Sequence, residues 1–255
     1  MTVLYDCTDG IAVLTMNRPE VMNALNSQLR RDLRAAIARA EGEARVIVLT
    51  GAGRAFCSGQ DLGDASSVEA LDLERILSEE YEPLLQAIEN SPLPVIAAVN
   101  GAAAGAGANL ALAADVVIAA QSAVFLQAFT RIGLMPDAGG TYWLPRQVGA
   151  ARAMGLALFA EKVEAEEAAR MGMIWEAVPD AGFAAHWRAR AAHLANGPTR
   201  AYGAVKRALR ASSSNDYGTQ LALEAQLQGE LGATQDFREG VAAFLEKRAA
   251  RFGNH

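Results

Sequence analysis

Apolar positions in this chain fall into two kinds of run that alternate: short unbroken blocks, and longer stretches with helical spacing. Residues 2–5 and 11–16 are strand-like runs on either side of Asp9-Gly10, which predicts a hairpin. Asn17-Arg18-Pro19 closes the second run. Asn26-Ser27 then offers an N-cap for a helix over 28–41, in which Leu29, Leu33, Ala36, Ile37 and Ala40 recur on one face. Residues 46–50 are a uniformly apolar buried strand, followed by Gly51-Ala52-Gly53. Strand, helix, strand in this order is compatible with a right-handed parallel crossover.

Residues 64–68 are polar, and 71–90 carry an amphipathic helical pattern that Pro83 should kink or restart. After Ser91-Pro92-Leu93-Pro94, residues 94–99 read as a second buried strand ending in the turn Asn100-Gly101. Residues 101–108 are Gly and Ala alone, and Asn109 opens a helical run. Further strands are expected at 116–120 and, past the turn Gln121-Ser122, at 123–129. Residues 130–134 lead to Met135-Pro136-Asp137-Ala138-Gly139-Gly140, an acid held between a proline and two glycines. Helices follow at 141–148, 150–159, 165–171 and 183–194, with a brief excursion at 161–163 and a short strand at 174–178. Beyond the breaker Asn196-Gly197-Pro198, helices at 199–211, 217–231 and 234–247 form a tail with one apolar face.

Composition narrows the class. A chain of 255 residues, 51% hydrophobic and 20% charged, can build one large α/β domain with a full core. A net charge of −6 argues against nucleic acid as a partner. No apolar run reaches the ~18–20 residues of a membrane span, since Asn100, several glycines and Asp115 interrupt 94–120. The start MTVLYDCTDG has neither a basic n-region nor an apolar h-region. Cys7 and Cys57 make no disulfide framework, so a reducing cytoplasm is expected.

Two nucleotide motifs fail. Gly51-Ala52-Gly53 follows a strand, but Phe56 stands where a dinucleotide fingerprint needs its third glycine, and no G-K-[ST] follows. Cys57 has no histidine before His186 to activate it, and no His/Cys/Asp cluster has metal-ligand spacing, so no metal is expected. What remains is a small-residue segment at a helix start, which leaves backbone N–H groups facing a ligand, together with Asp137. Donors plus one positioned carboxylate are what proton transfer beside a thioester carbonyl requires. Taken alone, Asp137 would serve as a helix cap and 51–62 as a plain connector.

The segment IAAVNGAAAGAG with its downstream AAD resembles the signature of the crotonase (enoyl-CoA hydratase/isomerase) superfamily, and RAFCSGQDL resembles its companion segment. The similarity runs from Asn17-Arg18-Pro19 to residues 239–248. AAGAGANLAL, IGLMPDAGGT, ARAMGLAL and GMIWEAV most resemble the ring-1,2-epoxyphenylacetyl-CoA isomerases of bacterial phenylacetate degradation. The resemblance implies an α/β spiral of β-β-α units over 1–195 and a helical region over 196–255 that packs on neighbouring subunits of a homotrimer or dimer of trimers. It places the oxyanion donors on the N–H groups of Gln60 and Ala106. The substrate pocket would be formed by Ser58, Gly59, Asp61, Leu62, Gly105, Asn109, Phe129, Ile132, Leu134 and Pro136. The CoA part of the substrate would lie on Met22, Ala24 and Leu25, with Lys247, Arg18, Arg54 or Lys206 near its phosphates. No separate cofactor is implied, because coenzyme A is part of the acyl-CoA substrate.

The two glutamates that hydration uses in this superfamily are Asn109 and Phe129 here, and neither moves a proton at neutral pH. Asp137 matches the catalytic aspartate of the epoxide isomerases. The expected reaction is therefore isomerisation of ring-1,2-epoxyphenylacetyl-CoA to its oxepin isomer, or of a 3-enoyl-CoA to the 2-enoyl form. Asp137 also matches the nucleophile of 4-chlorobenzoyl-CoA dehalogenase, which needs a histidine base, whereas His186, His193 and His255 all lie late in the chain. A pure CoA-ester binder is the remaining alternative, and it would have no use for a carboxylate at 137.

Overall fold

The computed structural model describes residues 1–63 and 72–253, and its organising feature is two sheets joined by a repeated crossing of the chain. Strands β1 (Val3–Thr8) and β2 (Ile11–Met16) pair antiparallel across Asp9 and Gly10, whose φ values of 52° and 75° suit a two-residue hairpin turn. Helix α1 (Ser27–Glu43) starts where Asn26 accepts a hydrogen bond from the Leu29 N–H, and it buries Leu29, Leu33, Ile37 and Ala40. Strand β3 (Val46–Gly51) then runs parallel to β2.

From here each turn has the same plan. A strand of the large sheet passes directly to a three-residue strand of a small sheet, and helices bring the chain back. Thus β3 is followed by β4 (Ala55–Cys57), and the return uses α2 (Leu73–Ile76), a π-helical turn at Leu77–Tyr81 and α3 (Glu82–Asn90). Strand β5 (Val95–Val99) leads to β6 (Ala102–Ala104) and α4 (Ala106–Leu112). Strand β7 (Val116–Ala120) leads to β8 (Val124–Leu126), a 3-10 turn at Ala128–Ile132, α5 (Gly140–Val148) and α6 (Ala150–Phe159). Strand β9 (Lys162–Glu164), α7 (Ala165–Arg170), β10 (Glu176–Val178) and α8 (Asp180–Ala195) complete the core. The large sheet has the order β1-β2-β3-β5-β7-β10 and the small one β4-β6-β8-β9, parallel except for β1 against β2 and β9 against β8. This is the α/β spiral expected from the sequence.

Small residues let the turns stack. A Cβ on Gly101 would lie 2.1 Å from the Arg54 carbonyl oxygen, and one on Gly107 would lie 2.3 Å from that of Cys57. One local expectation is corrected. The helix expected to open at Asn109 begins three residues earlier, at Ala106, and β6 precedes it within the Gly/Ala segment. Pro83 restarts the helix as expected: it stands in the first turn of α3, where its missing N–H costs no ladder bond, directly after the wider turn at Leu77–Tyr81. The polar residues 64–68 lie outside the described residues.

Three tail helices, α9 (Thr199–Ala211), α10 (Tyr217–Gly232) and α11 (Gln235–Glu246), pack back on the core. Asp115 receives both Lys206 Nζ and Arg210 Nη2 at 2.7 Å, while Arg210 also bonds the Glu89 carbonyl. Arg45 donates to the carbonyls of Gly197 and Phe252. Tyr217, Leu245 and Phe244 remain 80%, 73% and 82% exposed on this tail. Among the described residues no helix is long and apolar enough to cross a membrane, and no group of His, Cys, Asp or Glu could hold a metal ion.

Candidate active site

Three successive turns of the spiral each send one functional group beyond the same edge of the small sheet. Past β4, Gly59 adopts φ +98°, and a Cβ there would lie 2.9 Å from the Ala104 carbonyl oxygen and 3.5 Å from the Ala106 nitrogen. Only glycine fits that approach. Leu25 N–H donates to Gly59 O at 2.8 Å and Asp61 N–H to Leu25 O at 3.1 Å, a parallel bridge that pins the peptide between them. Past β6, Gly105 turns the chain with φ +53° and its own N–H donates to Leu126 O. Ala106, 3% exposed, then begins α4, where a helix has unpaired N–H groups. Neither the Gln60 nor the Ala106 N–H meets a backbone acceptor among the described residues.

Past β8 comes Asp137. Ala138 and Gly139 are both left-handed, with φ of 47° and 80°, and α5 begins after them with no side-chain cap. Asp137 is therefore not the N-cap of that helix. Its carbonyl is held twice, by Asn109 Nδ2 at 2.7 Å and Gly140 N–H at 2.8 Å, and Gln127 Nε2 in turn donates to Asn109 Oδ1 at 2.8 Å. One oxygen of the carboxyl group is left free: among the described residues, Oδ1 is buried with no hydrogen-bond partner, and the group's one polar contact is its own backbone N–H. Burial pushes its pKa up from 3.8 to about 6, which suits a group that must both take and return a proton near neutrality.

These groups share a cavity of about 290 Å³. Its lining includes Ser58, Gly59, Gln60 and Leu62 after β4, Gly105 and Ala106 after β6, and Phe129, Ile132, Leu134 and Asp137 after β8. Three residues expected in the lining lie elsewhere. Asp61 is turned away into an ion pair with Arg18 at 2.8 Å; Asn109 is fully buried behind the Asp137 peptide; and Pro136 lines a second cavity of about 880 Å³ on the far side of Asp137. Sequence reading missed Leu77 and Tyr81, which line both cavities. It also missed Arg30, buried on α1 although helical spacing places it at the edge of the apolar stripe, beside Ile37.

The segment expected to receive CoA lies against this site. Met22 and Asn23 are left-handed, the Met22 carbonyl accepts from Ser58 N–H at 3.0 Å, and buried Asn23 bonds the carbonyls of Ala52 and Ala55. Met22 is 37% exposed, but Ala24 and Leu25 are buried and can offer a ligand little more than backbone. Among the basic candidates, Lys206 is committed to Asp115 inside the fold and Arg18 to Asp61 and the Ala24 carbonyl. Arg54 and Lys247 are exposed, the latter at the C-terminal cap of α11. The Cys57 thiol is fully buried, which pushes its pKa up to about 12 and removes it as a nucleophile. His186 pairs with Glu176 at 2.8 Å and does not line the cavity.

The spiral with its free N–H groups defines a class of protein by its fold, and known proteins share it. The pattern of the Enoyl-CoA hydratase/isomerase family matches residues 6–255, and the chain belongs to that family. A probable enoyl-CoA hydratase of Rhodobacter capsulatus is 73% identical over 251 residues, covering 98% of this chain and 97% of that protein. The 1,2-epoxyphenylacetyl-CoA isomerase of Escherichia coli is 46% identical over 255 residues, with the same coverage. The crystal structure of an enoyl-CoA hydratase from Bacillus anthracis superposes with a TM-score of 0.93 at 31% identity, covering all of both chains.

Proposed function

We propose that this enzyme is an acyl-CoA isomerase using Asp137 as its single acid–base group and the Gln60 and Ala106 N–H groups as its oxyanion hole. The observation that carries the reading is the cavity's inventory: among the described residues, Asp137 is the one carboxylate lining it, and its buried Oδ1 has no hydrogen-bond partner there. Hydration of a double bond would call for a second acid–base group. Asn109, where one would stand, is instead spent on holding the Asp137 carbonyl, and Phe129 is apolar.

In the enoyl reaction, the Asp137 carboxylate removes a proton from the α-carbon of a 3-enoyl thioester. The electron pair passes into the carbonyl, and the two N–H groups stabilise the resulting oxyanion. The double bond shifts, and the protonated Asp137 returns the proton at the γ-carbon. A ring-1,2-epoxide of phenylacetyl-CoA presents the same thioester to the same donors, and the likeness to the Escherichia coli isomerase supports it as the substrate. The exposed Tyr217, Phe244 and Leu245 support assembly through the helical tail, as a homotrimer or dimer of trimers.

The test follows 3-hexenoyl-CoA isomerisation by the enoyl-thioester absorbance, with crotonyl-CoA hydration run in parallel and epoxide turnover followed by chromatography. The expected result is isomerisation without hydration, abolished in Asp137→Asn, with kcat/KM of the parent rising through about pH 6 as the carboxyl group ionises. Undiminished isomerisation by Asp137→Asn would refute the assignment, as would efficient hydration by the parent.

A further inference from the structure

We propose that Arg30 is a positioning residue that fixes the Gln60 oxyanion donor and ties it to the wall of the acyl pocket. This rests on the assignment of the Gln60 N–H as a donor to the thioester carbonyl. Arg30 is 1% exposed, and all five of its N–H bonds find acceptors. Nη1 donates to the Leu25 carbonyl at 2.6 Å and to Gln60 Oε1 at 2.9 Å. Nε and Nη2 reach Glu80 Oε2 at 3.1 Å and 2.8 Å, and Nη2 also reaches Ser27 Oγ at 3.3 Å.

The two Nη1 contacts converge on one residue. The Leu25 carbonyl is the acceptor for Asp61 N–H, in the peptide that follows Gln60; the peptide that carries the Gln60 N–H is held through its Gly59 carbonyl by Leu25 N–H; and the Gln60 side chain is the other object of the same Arg30 nitrogen. Gln60 Oε1 receives a second bond from the Tyr81 hydroxyl at 2.7 Å, and its Nε2 donates to Asp61 O at 3.2 Å. The side chain of residue 60 and both of its flanking peptides are therefore held, which restricts the orientation of its N–H. The other end of the guanidinium is anchored on Glu80, within the π-helical turn that also carries Leu77 and Tyr81 of the cavity wall; the Tyr81 ring lies 4.7 Å from the guanidinium carbon. Stability alone does not call for this arrangement, since a buried ion pair gains little over an apolar pair of the same volume. A rigid planar fork with five directed donors does suit the fixing of a peptide plane.

The consequence is that the wall formed by Leu77 and Tyr81 and the donor at Gln60 move together. An acyl group that fits the wall keeps the N–H aimed at its carbonyl oxygen, whereas one that displaces the wall loosens it.

The experiment uses Arg30→Met, Glu80→Gln and Gln60→Met in the full chain, with thermal melting to confirm folding. The probe is cinnamoyl-CoA carrying a ¹³C-labelled thioester carbonyl, whose stretching frequency falls when donors polarise it. Misaligning one donor is expected to lower kcat about 10- to 100-fold. Binding of the probe should stay within about threefold, because the lost interaction acts on the transition state more than on the bound ester. The shift of the carbonyl stretch should shrink by half or more in each variant. Asp137→Asn serves as the contrast, with no turnover and the full carbonyl shift. An unchanged shift in folded Gln60→Met overturns the proposal even if Arg30→Met fails to fold. Because the probe reports polarisation and not turnover, its result stands apart from which isomerisation the enzyme performs.

Discussion

Replacing Asp137 by Asn should abolish activity and stabilise the fold, and the stabilisation should depend on pH. The carboxyl group titrates at about 6 in the folded chain against 3.8 when free, because burial disfavours its charged form. A group with a raised folded pKa favours the fold below its unfolded pKa, and that contribution is lost as pH rises through the folded value. With about 1.4 kcal/mol for each tenfold change in acidity, the full cost of holding the charge above pH 7 is about 3 kcal/mol. The carboxyl group is only partly shielded from water, so about 1–2 kcal/mol is the expected gain for Asn, or roughly 2–6 °C in Tm for a chain of this size. Melting curves of both proteins at pH 8, 6 and 4 provide the assay, in parallel with 3-enoyl-CoA isomerisation. The gain should be largest at pH 8 and close to zero at pH 4, where the aspartate is also neutral. A constant gain, or a loss that grows with pH, would refute the claim that the carboxylate is held charged at a cost for the sake of catalysis.

Other substitutions probe the scaffold behind the site. Asp115→Ala leaves Lys206 and Arg210 without their shared anion and should cost about 3 kcal/mol in urea unfolding, with earlier proteolytic release of α9; a loss below about 1 kcal/mol would show that solvent replaces the anion. Gly107→Ala would ordinarily gain helix stability, but its Cβ meets the Cys57 carbonyl at 2.3 Å, so about 1–3 kcal/mol should be lost and kcat should fall with it. Asn109→Ala removes a donor from the Asp137 carbonyl and strands Gln127; stability should drop by about 1–3 kcal/mol and kcat by about tenfold, with no hydration of crotonyl-CoA gained.

The strands of the large sheet and most helices were legible because their patterns are long enough to show a period. Strands β3, β5 and β7 are apolar runs of five or six residues, and α9 spans the residues its spacing predicts. Of the small sheet only β8 was legible, inside the strand expected at 123–129. AFC, AAA and KVE are three residues each, too short for any alternation, and the first two lie inside a connector and a Gly/Ala segment. At the site, the glycines at 59, 105 and 139 announced tight turns. Nothing announced that Ala138 would also turn left-handed, which takes Asp137 out of the capping position. Asn109 could be read from its motif but not its partner, since a bond to a carbonyl 28 residues later leaves no local trace. Arg30 was hidden for a related reason: an arginine beside an apolar stripe ordinarily lies along the surface, and its acceptors come from three separate segments.

The spiral has a consequence for how such a protein can change its chemistry. Gln60 and Ala106 follow β4 and β6, whereas Asp137 follows β8, one layer of about 4.8 Å further along the sheet. In the proposed mechanism, the atoms that make an α-carbon acidic thus belong to two neighbouring storeys, and the atom that decides where the proton lands belongs to a third. Substitutions on that third storey can redirect the proton, or supply a different acid, without touching the two strands that carry the N–H groups. On that reading the outcome of the reaction can be edited on one layer while carbonyl activation stays on the others.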